Sequence, residues 1–251
     1  MKFHFCASGA ENAEKALKEL TKIYKQSSLQ DCDVIIPLGG DGFLLQTLHE
    51  TQHLNKPVYG LNKGTVGFLM NSYSTANLVE RVQKANDITI RPLDVFAQDV
   101  DGKSHNFSPI NDASLLRSSG QAANLKIRIN GQTQMDKLIC DGIVLSTPAG
   151  STAYNSSNNG PILPITANVL SLTAIAPFKP RQWRGAVLPM NATVEIDNLD
   201  ALKRPLMASA DGESVQNIAY IRMQFSKFKT HRLLFDQGHS LESRILKEQF
   251  H

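Results

Sequence analysis

Cysteine, clustered histidine, basic runs and long apolar stretches are what this 251-residue sequence has little of. Its three cysteines, Cys6, Cys32 and Cys140, lie far apart with no CxxC or Cys/His spacing, which argues for buried reduced thiols over a metal site or a disulfide framework. The seven histidines form no HxH or HExxH pattern, so no metal site is expected from them. No Lys/Arg block occurs, and a net charge of +3 permits an anionic ligand without describing a nucleic-acid surface. No stretch approaches the roughly 18 apolar residues that a membrane span needs. The N-terminus MKFHFCASGA has no long apolar h-region, so a cytoplasmic location is expected, with no membrane or nucleic-acid partner. Internal repeats and low-complexity tracts are absent too. What remains is ordinary globular material, 41% apolar and 20% charged, long enough for one large or two modest domains.

The first ninety residues alternate between strand and helix patterns. KFHFC (2–6), DVIIPL (33–38) and PVYGLN (57–62) read as strands. Between and after them, residues 11–25, FLLQTLHE (43–50) and the stretch around Leu78, Val79 and Val82 carry helical spacing. That alternation predicts an open parallel α/β domain over 1–90. After Arg91-Pro92 helical periodicity fades. LKIRI (125–129) followed by Asn130-Gly131 predicts a hairpin, and VDGK (100–103) a second. ATVEI (192–196) and YIRMQF (220–225) are further strands, giving a β-rich domain over 91–238. SLESRILKEQF (240–250) predicts a C-terminal helix within 239–251, with Ser240 as its N-cap, packing back on the first domain.

Two stretches carry chemistry. Gly39-Gly40-Asp41-Gly42 follows one predicted strand and precedes a helix, at the carboxyl end where ligands bind in open α/β sheets. Glycines admit close approach, and a helix start offers N–H groups to an anion. There is no GK[ST] of a Walker A loop and no GxGxxG. Asp41 repels a bare phosphate, so its roles are to hold Mg²⁺ against phosphates, to accept a proton from an attacking hydroxyl, or to cap the helix. NKGTVGFL (62–69) is a second glycine-punctuated loop after the next strand. CDGIVLSTPAGSTAYNSSNNGPILP (140–164) then joins a strand to a loop dense in hydroxyl and small residues, suited to ribose, phosphate or base edges.

Taken together, GGDG at 39–42, Asn111-Asp112, Asp141-Gly142, STPAGSTAY at 146–154, Gly160-Pro161-Ile162 and Asp211-Gly212 resemble the ordered motifs of the NAD kinase family. The resemblance implies an N-terminal α/β domain like that of phosphofructokinases and diacylglycerol kinases, then a β domain. It implies transfer of a phosphoryl group from ATP or polyphosphate to the 2′-hydroxyl of the adenosine ribose of NAD, with Mg²⁺ arriving on ATP. It also implies a homodimer or homotetramer, with NAD contacts crossing a subunit boundary.

Carried over, Asp41 is the general base, and Gly39, Gly40 and Gly42 let the donor phosphates approach. Asn111 and Asp112 hold the adenine or ribose, with Asp112 one methylene shorter than the family's usual Glu. Asp141 lies near the nicotinamide ribose or amide. Ala149, Thr152, Ala153, Tyr154, Asn155, Ser156 and Ser157 cradle the dinucleotide, and Ala176 meets its nicotinamide end. Departures are Phe43 where Thr often follows GGDG, Leu163-Pro164 in place of a His, and Ile139 at a position sometimes basic. The competing readings are a diacylglycerol- or sphingosine-type lipid kinase, which shares GGDG, and a non-catalytic dinucleotide sensor. Trp183, in a basic turn, reads as a packed residue or an oligomer contact.

Overall fold

The computed structural model describes residues 1–238. They fall into two compact units, residues 1–90 with the chain from Thr230 onward, and residues 91–229.

In the first unit, β1 (Phe3–Ala7) leads into α1 (Glu11–Tyr24), which buries Ala13, Ala16 and Leu20. Those positions are three and four apart and so share one helical face. Glu11 and Glu14 in the first turn and Lys22 in the last turn complement the helix dipole. β2 (Val34–Gly39) is buried along its whole length, as a strand covered on both faces must be. α2 (Asp41–Thr51), β3 (Leu61–Asn62), α3 (Leu78–Lys84) and β4 (Asn86–Ile90) follow. β1, β2 and β3 pair in parallel in that order, the open α/β arrangement read from the sequence. The strand expected over 57–62 is shorter, because only Leu61 and Asn62 join a regular ladder. Val58 instead makes isolated bridges to Ile35 and to Leu233.

The second unit is almost entirely strand. β5 (Leu93–Asp99), β6 (Ser104–Phe107), β7 (Asp112–Arg117), β8 (Ala123–Ile129), β9 (Gln132–Cys140) and β10 (Gly142–Ser146) precede a single turn of helix, α4 (Tyr154–Ser157). β11 (Val169–Ile175), β12 (Gly185–Pro189), β13 (Val194–Asn198), β14 (Leu206–Ala210), β15 (Glu213–Val215) and β16 (Ile218–Phe225) complete it. They form two six-stranded sheets, ordered β12-β11-β10-β7-β14-β15 and β6-β5-β16-β13-β8-β9. Alternate residues such as Val95, Leu125, Ile143, Leu172, Ile196 and Ile221 build one apolar core. Trp183 packs against that core. Asn130 and Gly131 both take positive φ (52° and 77°), the backbone of a tight hairpin turn.

β17 (His231–Phe235) returns to the first unit and pairs antiparallel with β4. The second domain, expected to run to residue 238, therefore ends at Lys229. The reason is apolar burial, since Leu233, Leu234 and Phe235 are all buried in the first unit. The helix expected over 239–251 lies outside the described residues.

Candidate active site

The GGDG turn ends β2 and opens α2. Gly40 is the N-cap, and no side chain caps the helix. The Asp41 carboxylate turns away to the 62–69 loop, where Phe68 N–H donates to Oδ2 (2.7 Å) and Leu69 N–H donates to Oδ1 (2.9 Å). Asp41 is thus held in one orientation by two amides, which take up two of the roughly four acceptor positions a carboxylate has. The loops are joined a second time, because Lys63 N–H and Gly64 N–H both donate to Gly39 O (2.7 and 3.1 Å).

The glycines serve this junction. A Cβ on Gly64 would sit 2.9 Å from Gly40 Cα, and one on Gly39 would sit 3.0 Å from Phe43 Cβ. Backbone therefore meets backbone at Gly40 and Gly64, and Phe43 fills the space beside Gly39. Of the three GGDG glycines only Gly42 faces open space. On the side where a Cβ would stand, protein atoms lie against both Gly39 and Gly40.

The remaining predicted site residues lie in the second unit: Asn111, Asp112 and the 149–157 loop gather where β7 begins and β10 ends, whereas Asp141 and Ala176 lie at the opposite end of these strands, where β7 ends and β10 begins. The segment 110–112 is tied on every side. Thr147 Oγ1 donates to Ile110 O (2.7 Å), Thr147 N–H donates to Asn111 O (2.9 Å), and Asp211 accepts the N–H groups of Ile110 (2.5 Å) and Asn111 (3.2 Å). A Cβ on Gly150 would overlap the Asn111 carbonyl, so glycine alone lets the STPAGS loop cross there. Asn111 Oδ1 is buried and has no hydrogen-bond partner among the described residues. Burial, then the neighbouring Asp211 charge, pushes the Asp112 carboxyl up to about 7 against the opposing N–H of Tyr154.

In the loop after β10, Ala149 is buried, Thr152, Ala153 and Ser156 are half-buried, and Ser157 is exposed. Tyr154 is 38% exposed. Asn155 differs from the reading as a direct ligand. It is 0% exposed, its Nδ2 donates to Ser151 O (3.1 Å) and Pro161 O (2.9 Å), and its Oδ1 accepts from Ser171 (3.0 Å) and Thr173 (2.7 Å). Those four bonds fill an amide's capacity, so Asn155 holds the loop's shape. Asp141 pairs with Arg117, with Nε 2.6 Å from Oδ1, a partner the sequence gives no spacing signal for. Ala176 follows Ile175, whose carbonyl accepts the Asp141 N–H, and its φ of 44° is strained for a residue with a Cβ. Asp211, noted in the sequence only as a motif member, proves to be the anchor of 110–111.

Comparison with known proteins places this architecture. The ATP-NAD kinase N-terminal domain family matches residues 2–86, and the ATP-NAD kinase C-terminal domain family matches residues 110–232. An NAD kinase of Cereibacter sphaeroides (strain ATCC 17029 / ATH 2.4.9) is 53% identical over 98% of this chain and 97% of its own. An NAD kinase of Rhizobium meliloti (strain 1021) is 49% identical over 98% of this chain and 96% of its own. In fold, the chain is similar to yeast NADH kinase complexed with NADH, with a TM-score of 0.82 and 20% identity over 100% of this chain and 87% of that one. It is also similar to an NAD kinase from Archaeoglobus fulgidus in complex with ATP, with a TM-score of 0.76 and 22% identity over 99% and 98% of the two chains. The lipid-kinase and non-catalytic sensor readings gain no support from these matches. With both halves matched and such relatives aligned along almost its whole length, this chain belongs to the NAD kinase family.

Proposed function

We propose that the chain transfers the γ-phosphoryl group of ATP to the 2′-hydroxyl of the adenosine ribose of NAD, giving NADP. Its relatives at 44–53% identity are NAD kinases. Within the molecule, the reading is best supported by Asn111 Oδ1, a buried acceptor with no partner among the described residues, beside a carboxyl at Asp112. An orphaned buried acceptor is costly, and a bound donor such as an adenine amino group relieves that cost.

Asp112 then accepts a ribose hydroxyl, and Tyr154 and Ser157 line the dinucleotide wall. Asp141 and Ala176 serve the nicotinamide end. Asp41, oriented by two loop amides, acts as the general base for the 2′-hydroxyl. Gly42, the GGDG glycine with open space, lets the donor phosphates approach. Mg²⁺ arrives held by ATP phosphates and water, as a hard cation that keeps several waters does. Loose phosphoryl transfer asks chiefly for positioning and charge neutralisation. Polyphosphate as an alternative donor, homo-oligomeric assembly and a cytoplasmic location complete the reading. No described helix is long and apolar enough to cross a membrane.

The test is a coupled assay with purified protein, NAD, ATP or polyphosphate, and Mg²⁺, reading NADP with an NADP-specific dehydrogenase. Absence of NADP from the wild type overturns the kinase reading. Asp41→Asn is expected to lower kcat roughly 10²–10⁴-fold. Unchanged turnover in that variant overturns Asp41 as the base.

A further inference from the structure

Asp211 sits at the turn between β14 and β15 with φ of 44°, while Gly212 beside it takes φ of 94°. A non-glycine residue in the left-handed region costs free energy, and such strain persists where the surroundings over-determine it. Here they do. Oδ2 accepts the Ile110 N–H at 2.5 Å and Oδ1 accepts the Asn111 N–H at 3.2 Å. The carbonyls of the same two residues are taken by Thr147, whose hydroxyl and N–H donate to Ile110 O and Asn111 O. A turn 100 residues away in sequence thus fixes the backbone that carries Asn111 and Asp112.

We propose that Asp211 is a positioning residue for the adenosine end of NAD: by clamping the Ile110 and Asn111 amides it aims the Asn111 amide and the Asp112 carboxyl at the ligand, without needing to touch it. The inference rests on the NAD-kinase reading above. It has a second consequence, electrostatic in nature. Asp112 is faced by the Asp211 carboxylate from the β14–β15 turn and by the Tyr154 N–H from α4. Taking the Asp211 charge away therefore makes Asp112 easier to ionise.

Three substitutions separate the clamp from the strain. Asp211→Gly removes the carboxylate and also relieves the positive φ, Asp211→Ala removes the carboxylate and keeps the strain, and Asp211→Asn leaves one oxygen to accept one of the two amides. Loss of the clamp is expected to raise KM for NAD roughly tenfold in both the Gly and Ala variants, with Asn intermediate, while KM for ATP stays within about twofold. Direct NAD binding, followed by calorimetry across pH, is expected to strengthen as Asp112 ionises. Asp211→Asn moves that transition to lower pH than in the wild type.

A wild-type KM for NAD in Asp211→Gly overturns the clamp. An equal rise in the KM values for NAD and ATP overturns its restriction to the adenosine end. If Asp211→Gly does not fold, Asp211→Asn carries the test: a wild-type KM for NAD in that variant overturns the clamp, and an unmoved pH transition overturns its electrostatic consequence. If the wild type makes no NADP, the kinase reading fails while the calorimetric comparison still judges Asp211.

Discussion

The two loop clusters are built by opposite means. At GGDG the chain is held by the absence of side chains: Gly40 and Gly64 bring two backbones together, and one carboxylate, Asp41, staples Phe68 and Leu69. In the second unit the crossing at Gly150 is similar, but most of the work falls to side chains. Thr147, Ser151 and Asn155 satisfy buried main-chain groups, and Asp211 closes the last amides. A glycine-rich loop and a hydroxyl-rich loop both read as ligand sites in sequence. In each, much of the polar and conformational capacity is spent on holding the loop itself. What is left over is the buried, unpartnered Asn111 Oδ1, the Asp112 carboxyl and the exposed Gly42, Tyr154 and Ser157.

That contrast can be broken most severely at a glycine. Gly150→Ala drives a Cβ into the Asn111 carbonyl, and Gly64→Ala drives one to within 2.9 Å of Gly40 Cα. Each is expected to cost roughly 3 kcal/mol or more, read as a lowered denaturant midpoint. A near-wild-type midpoint for Gly64→Ala would show that the first cluster is not held by backbone contact.

Next in size is Asn155→Ala. It strips partners from the carbonyls of Ser151 and Pro161 and from two buried hydroxyls, for an expected loss of about 2–3 kcal/mol. Tyr154→Phe, one residue away and exposed, is expected to leave the melting temperature unchanged. Equal melting temperatures for the two variants would remove the distinction between a loop-holding and a ligand-facing residue.

Asp112→Asn gives a smaller, pH-dependent effect. The folded Asp112 carboxyl is raised to about 7 from an ordinary value of 3.8, so the native state holds the proton more tightly than the unfolded chain. The stability this contributes is present at acid pH and is lost as pH rises through about 7. Thermal melting of Asp112→Asn relative to wild type should therefore improve between about pH 4 and 7 and level off above, while NAD binding weakens. A melting difference independent of pH would contradict the buried, charge-opposed setting of Asp112. The smallest change is Gly42→Ala, expected to raise stability by about 0.5–1 kcal/mol as an open helical position while raising KM for ATP. Unchanged KM for ATP would separate Gly42 from the donor phosphates.

Much of this was legible before any coordinates. Helical spacing at Ala13, Ala16 and Leu20, the Asn130-Gly131 turn and the all-apolar β2 are local signals, because each depends on residues a few positions apart. The ordered motifs marked the family for the same reason, since a short string of residue types survives reading in one dimension. Asn155 was misread because an amide in a hydroxyl-rich loop looks the same whether its partner is a ribose or Ser171 and Thr173. The strand β17 was missed because five residues carry no address, and only pairing with β4 assigns them to the first unit.

The sequence by itself determined the strand–helix alternation, the β-rich second half and the residue types available for phosphate and ribose chemistry. These follow from local periodicity and side-chain chemistry. Only the tertiary structure decided which polar groups are already spoken for. Asp41 meets amides 27 and 28 residues away, Asp141 meets Arg117, and Asp211 clamps Ile110 and Asn111 across about 100 positions. A hydrogen bond reaches only about 3 Å, and which groups fall within that reach is set by how strands register and turns close.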